Sequence, residues 1–307
     1  MTQLRDRKTT QRCLGRSSWT PEDAFMALSS NSRHSSKQVA ISIDELDRAI
    51  AAEEFVLHYQ PTVNLTDGTL TGFEALVRWR HARLGLLCAA KFVPLAESCG
   101  LIRSLDQWVL QTASRQLAAW QEDVLVVPGF RVAVNVSAME MDGDGLVERV
   151  HRAIAASGVD ASGLVVEVTE TSRIESLESA KRSADGLHAL GVELALDDFG
   201  SRYGTFSLLS SLPFDVLKID RDLVIGTRTE HGRAFVRALV DLGDNLGARI
   251  IAEGIETADQ AAQMHALCCH EGQGFFWAPA LSVHDAEALL TSGRWLAPAT
   301  ASSLSLR

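Results

Sequence analysis

Between residue 41 and about residue 290, apolar positions recur in two alternating rhythms. Short apolar or β-branched runs stand at Phe55–Val63, Gly72–Trp79, Arg131–Val136, Leu164–Val168, Val192–Leu196, Asp215–Ile219, Arg249–Ala252 and Gly274–Trp277. Each has strand length and is bounded by polar or glycine positions. Between most of them lie stretches with apolar residues every three or four positions: Leu105–Trp120, Leu146–Ala156, Leu177–Leu190, Ala234–Leu246 and Ala258–Leu267. That spacing lays one apolar stripe along a helix. Gly191 and Gly247 follow two of the helix ends, where a left-handed cap suits glycine. Eight strands alternating with helices over roughly 250 residues predict an α/β fold, a closed (β/α)8 TIM-like barrel. The rival is a doubly wound open sheet, which ordinarily carries a glycine-rich phosphate loop near its first strand; none is visible.

Residues 1–40 break the rhythm. Seven basic residues there face three acidic ones, so this segment is +4 in a chain of net charge −10, and the remainder carries −14. The run Ser29–Ser36 has linker composition. A basic, Ser-rich flexible leader over 1–40, a barrel over 41–295 and a tail over 296–307 are the expected divisions. A hydrophobic content of 46% over 307 residues is ample for a core without staples. The acidic balance argues against a nucleic-acid polymer as partner. The five cysteines (Cys13, Cys88, Cys99, Cys268, Cys269) form no CxxC pair, and the adjacent Cys268 and Cys269 read as small buried side chains. No apolar run reaches the ~20 residues of a membrane span and no signal peptide opens the chain, so a cytoplasmic location is expected.

Chemistry enters at the strand ends. Arg131–Val136 carries Asn135; Leu164–Val168 carries Glu167, with Glu170 just beyond; Val192–Leu196 runs into Asp197 and Asp198; Asp215–Ile219 contains Lys218; Arg249–Ala252 delivers Glu253, followed by Glu256. Any one such carboxylate could be a helix cap. Five successive strands bearing polar groups at the end that faces a barrel's active site point instead to one shared mouth. Lys218 alone cannot neutralise that many carboxylates, so one or two divalent cations are implied, and an all-oxygen donor set selects Mg2+ or Mn2+. Two such ions suit phosphodiester hydrolysis.

The motifs, in order, resemble the EAL domain family of cyclic di-GMP phosphodiesterases. Glu74-Ala75-Leu76 lies within GFEALVRWRH; Tyr59-Gln60-Pro61 precedes it; FVPLAESCGLI, VNVSA, VEVTET, LDDFG, LKIDR, IAEGIET and QGFFWAPAL follow. The resemblance covers roughly Ile43 to Leu290. It implies a barrel with one antiparallel strand and hydrolysis of cyclic di-GMP to linear pGpG by a homodimer. It further implies metal ligation by Glu74, Asn135, Glu167, Asp197, Asp198 and Glu253. Lys218 would orient the attacking water, Glu253 would act as general base, and Glu170 would anchor the loop after LDDFG. Gln60, Leu76, Arg78, Glu256, Gln273 and Phe275 would lie near the dinucleotide.

Two departures stand out. Arg202 replaces a family glycine in the loop Ser201–Phe206, and Ala82 replaces the proline that usually follows the histidine at 81. No cyclase, receiver or sensor segment is visible, so a stand-alone EAL protein is expected. Two further readings stay open: a receptor that holds cyclic di-GMP without turning it over, and a degenerate domain working through protein contacts.

Overall fold

A computed structural model describes residues 41–292, apart from 124, 128, 138–139, 143–144, 170–175 and 201–204. The expected leader and tail, Glu170 and most of the Arg202 loop therefore lie outside the described residues. The strands are β1 (Phe55–Asn64), β2 (Leu70–His81), β3 (Gly85–Cys88), β4 (Arg131–Val136), β5 (Leu164–Thr169), β6 (Glu193–Phe199), β7 (Val216–Ile219), β8 (Arg249–Ala252) and β9 (Glu271–Gln273). They run in the order β1-β9-β8-β7-β6-β5-β4-β2, and β1 also pairs with β2, which closes a ring of eight. β3 hangs on the outside, paired with β2. β1 is antiparallel to both its neighbours, while the other ring pairs are parallel. The TIM-like barrel with one inverted strand is thus present, and the open sheet is excluded.

One expected strand is displaced. The last strand is Glu271–Gln273, just before the apolar run Gly274–Trp277. The pairing segment has a polar residue at each end, whereas Phe275, Phe276 and Trp277 form a turn after it, with Phe275 50% exposed. Helices at Ile43–Ala51, Val93–Cys99, Thr205–Ser211, Arg221–Gly226 and Val283–Ser292 add to the expected set. The first begins with a capping box, Ser42 and Glu45 each serving the other's backbone N–H.

Helix Ile102–Glu122 shows how the outer layer is held. Its buried positions include Leu105, Val109, Ala113, Leu117 and Trp120, a spacing of three or four that keeps one stripe on the barrel. Trp120 meets Tyr59 of β1 edge-on, ring centroids 4.9 Å apart. Each fully buried side chain of that size contributes ~1.5–3 kcal/mol. At the far side, helix Glu230–Leu246 ends on Gly247 at φ 75°, the left-handed cap expected there.

Inside the ring, successive inward residues stack in layers. The lowest is ionic: Arg131 and Arg249 both donate to Glu193, at 2.9 and 2.7 Å, and Arg249 also faces Glu271 at 3.7 Å. Two residues up from Arg131, Glu193 and Arg249 stand Ala133, Ala195 and Ile251, which form a compact apolar layer with Val165 and Val216. Two residues further come Asn135, Glu167, Asp197, Lys218 and Glu253. Because side chains alternate with a period of two, the three layers are one pattern read at three heights.

Among the described residues no helix is long and apolar enough to cross a membrane. Cys269 is buried as expected, whereas Cys268 is exposed, contrary to the expectation, and stands at a positive φ of 64° just after helix Ala258–Ala266.

Candidate active site

The uppermost layer converges on Lys218. Its Nζ lies 2.7 Å from Glu253, 2.9 Å from Glu167, 3.3 Å from Asp197 and 3.4 Å from Glu74, and its side chain is 1% exposed. Burial works to discharge the ammonium, but Asp197, Glu167, Glu253 and Glu74 hold its pKa well above the usual value. Burial likewise lifts Glu167 well above the carboxylate range, with Lys218 opposing. Glu253 is pushed up to about 8, by burial first and then by Asp197. Glu74 is the exception: burial raises it, yet Lys218 and amide N–H groups outweigh burial and leave it lowered. Those amides are Asn135, donating at 2.7 Å, and Gln273, donating at 2.6 Å. Thr62 on the inverted strand in turn donates to the side-chain amide oxygen of Gln273, Oε1, at 3.3 Å.

Asp197 and Asp198 are consecutive, and in a regular strand they would point to opposite faces. The pairing of β6 with β7 slips between Leu196 and Phe199, and Asp198 sits at φ 58°. This bulge, in a left-handed conformation that aspartate tolerates better than most residues, turns both carboxylates the same way. One oxygen from each of Asp197, Asp198 and Glu253 then falls within 4.8 Å of the others. Four carboxylates therefore share one ammonium and Asp198 adjoins two of them, an excess of negative charge that a hard divalent cation would relieve. The donors are all oxygen, so the residues present fit Mg2+ or Mn2+.

Beside this cluster opens a cleft of about 300 Å³, at the small end of ligand sites. Gln60, Glu74, Leu76, Asp197, Glu253, Glu256, Gln273 and Phe275 line it, so most residues expected to bind or catalyse meet here. Arg78 stands on β2 two residues past Leu76, outside that lining, with its guanidinium donating to the Val77 carbonyl at 2.9 Å. Arg221, Gly254 and Gly274 also line the cleft. The sequence reading assigned them no role. Glycines inside motifs otherwise rich in side chains were the available signal.

Comparison with known proteins identifies the family. The model of the EAL domain family matches residues 43–280. A cyclic di-GMP phosphodiesterase of Pseudomonas aeruginosa is 39% identical over 238 residues, 76% of this chain and 40% of that protein. An uncharacterised signalling protein of Caulobacter vibrioides is 38% identical over 232 residues, 75% of this chain and 28% of that protein. The solved PaMucR phosphodiesterase–c-di-GMP complex superposes with a TM-score of 0.74 at 35% identity, covering 80% of this chain and 98% of that one. The chain thus spans well under half the length of these curated relatives.

Proposed function

The chain belongs to the EAL domain family, and on that premise we propose that it is a metal-dependent phosphodiesterase opening cyclic di-GMP to linear pGpG. The observation that carries the reading is the crowding of four carboxylates around buried Lys218, with Asp198 beside two of them, at the wall of a cleft. Glu74, Asn135, Glu167, Asp197, Asp198 and Glu253 are the residues that would hold Mg2+ or Mn2+. Bound there, such ions supply Lewis-acid charge to phosphoryl oxygens and ease deprotonation of water.

The chain's own groups divide the remaining work. Lys218 orients the attacking water and steadies the phosphate oxygens. Glu253, beside Lys218 at 2.7 Å, would accept the proton of that water. The water oxygen bonds to phosphorus, the bond from phosphorus to the ribose 3′ oxygen breaks, and that oxygen takes up a proton. Phe275 offers an exposed ring for base stacking, and Gln60, Leu76, Arg78, Glu256 and Gln273 complete the substrate contacts. Glu170, outside the described residues, keeps its proposed part as loop anchor. The same reading includes a barrel over 41–295, a homodimer and a cytoplasmic location.

The test is purified protein with cyclic di-GMP and Mg2+ or Mn2+, the products resolved by chromatography. Linear pGpG is expected, with cyclic AMP left intact. Ca2+ should support little turnover, since it prefers more ligands and longer bonds. Binding without pGpG would replace the enzyme by a receptor. Neither binding nor turnover would remove the ligand altogether.

A further inference from the structure

We infer that Arg221 is a positioning residue for base selection: by pinning Glu256 at the rim of the cleft it presets the carboxylate that accepts guanine and rejects adenine. The inference rests on the cyclic di-GMP reading above.

Arg221 opens helix Arg221–Gly226, directly after the N-cap Asp220. Its guanidinium donates to Glu256 Oε1 at 2.6 Å, and both side chains line the cleft while remaining about half exposed. The aliphatic stem is placed just as tightly. Gly254 has φ +65°, and a Cβ there would sit 2.4 Å from Arg221 Cγ, 2.6 Å from Cβ and 2.8 Å from Cδ. The stem therefore lies where a side chain at 254 would be, flat against the backbone that links Glu253 to Glu256. On the opposite side, a Cβ on Gly274 would meet the Ile255 carbonyl oxygen at 2.1 Å. Ile255 N–H donates to the Gln273 carbonyl at 3.1 Å, and Phe276 N–H to the Ile255 carbonyl at 3.0 Å. The segment 253–256 is thus sandwiched between the Arg221 stem and the turn that bears Phe275. Glu256 N–H is itself fixed on Gln260 at 2.8 Å.

A carboxylate fixed at the cleft edge discriminates purines by chemistry alone. Guanine presents two adjacent N–H donors on its Watson–Crick edge, which a carboxylate accepts. Adenine presents a ring-nitrogen acceptor at the corresponding position, and two acceptors facing each other repel. A site built to hydrogen-bond one partner rejects the analogue lacking it far more strongly than a site built on shape. Rejection weakens if the carboxylate can swing away, so the residue that holds it governs the selectivity.

The experiment compares wild type with Arg221→Ala, Arg221→Lys, Glu256→Gln and the Arg221→Ala/Glu256→Gln double variant, on cyclic di-GMP and cyclic di-AMP with Mn2+. Loss of a half-exposed ion pair predicts a KM for cyclic di-GMP raised about two- to fivefold in Arg221→Ala, with kcat nearly unchanged. The preference for cyclic di-GMP over cyclic di-AMP should collapse by a similar factor. Lysine lacks the fork but keeps the charge and should restore part of the loss. The double variant should be no worse than Glu256→Gln, because Arg221 acts through that residue. An unchanged KM and preference in Arg221→Ala overturns the inference and leaves the hydrolase reading standing. So does a double variant with multiplied losses, which would mean that Arg221 touches the ligand itself. A kcat loss at constant KM also overturns it, by assigning Arg221 to Glu253 and the chemistry. A wild type that binds without turnover is tested on the same variants by calorimetry, with Kd in place of KM. A wild type that does not bind cyclic di-GMP at all removes both readings together.

Discussion

Lys218 is the counter-ion of four carboxylates and, in the proposed reaction, also the group that would orient water at the phosphate. Its replacement should therefore register twice. Lys218→Met leaves Glu74, Glu167, Asp197 and Glu253 without their shared cation, and breaking a buried pair costs ~3–5 kcal/mol. Melting of the metal-free variant should fall well below wild type, while hydrolysis with metal should drop by about two orders of magnitude or more. A variant that melts normally or turns over normally contradicts one of the two roles. A second buried acid, Asp106, accepts the Ser137 N–H at 3.0 Å just past Asn135. Burial pushes its pKa from 3.8 up to about 7, against the pull of that N–H and of Arg149. The folded state then binds a proton the unfolded chain releases. The stabilisation is full below pH 3.8 and is lost as pH rises through about 7. Asp106→Asn keeps an acceptor without titrating, so it should melt above wild type at pH 8 and alongside it at pH 4. Equal curves at both pH values would refute the assignment. The strand-end polar residues were readable in sequence because each closes or interrupts an apolar run of strand length. Arg221 was not, since its partner is 35 residues away and only the fold brings the two together.

At the scale of elements, local rules placed most of the barrel and missed where they were weak. β9 has three residues, two of them polar, and its pairing partners supply what its own composition does not. β3 is four residues long and largely exposed, so alternation had nothing to register. The helix Ala258–Ala266 shows local chemistry reaching into the site. Thr257 accepts the Gln260 N–H, and Gln260 Oε1 accepts from the N–H groups of both Thr257 and Glu256. Thr257→Ala removes the cap at ~1 kcal/mol. It should also loosen Glu256, so KM should rise in company with the lower melting temperature. A stability loss with KM untouched would show the cap to be purely structural.

The whole molecule separates durability from chemistry along the barrel axis. The ionic floor of Arg131, Glu193, Arg249 and Glu271 lies at the end remote from Lys218, with an apolar layer between. Arg249→Met leaves Glu271 without its cation and Glu193 with Arg131 alone, and should lower the melting temperature while turnover per folded molecule stays at the wild-type value. Activity falling in step with it would mean the layers are mechanically linked. The ring itself has a seam. β1 pairs with β2 over most of its length but with β9 at only Thr62, Val63 and Asn64. Glu74 and Gln273, joined across that seam, are 199 positions apart. A ribosome adding about 5–20 residues per second needs on the order of 10–40 s to travel between them. During that interval a hairpin already carrying Glu74 waits with one edge unpaired. Nascent chains of this protein therefore depend on whatever shields that edge until the final strand emerges, and slowing translation anywhere between residues 74 and 273 lengthens the exposure.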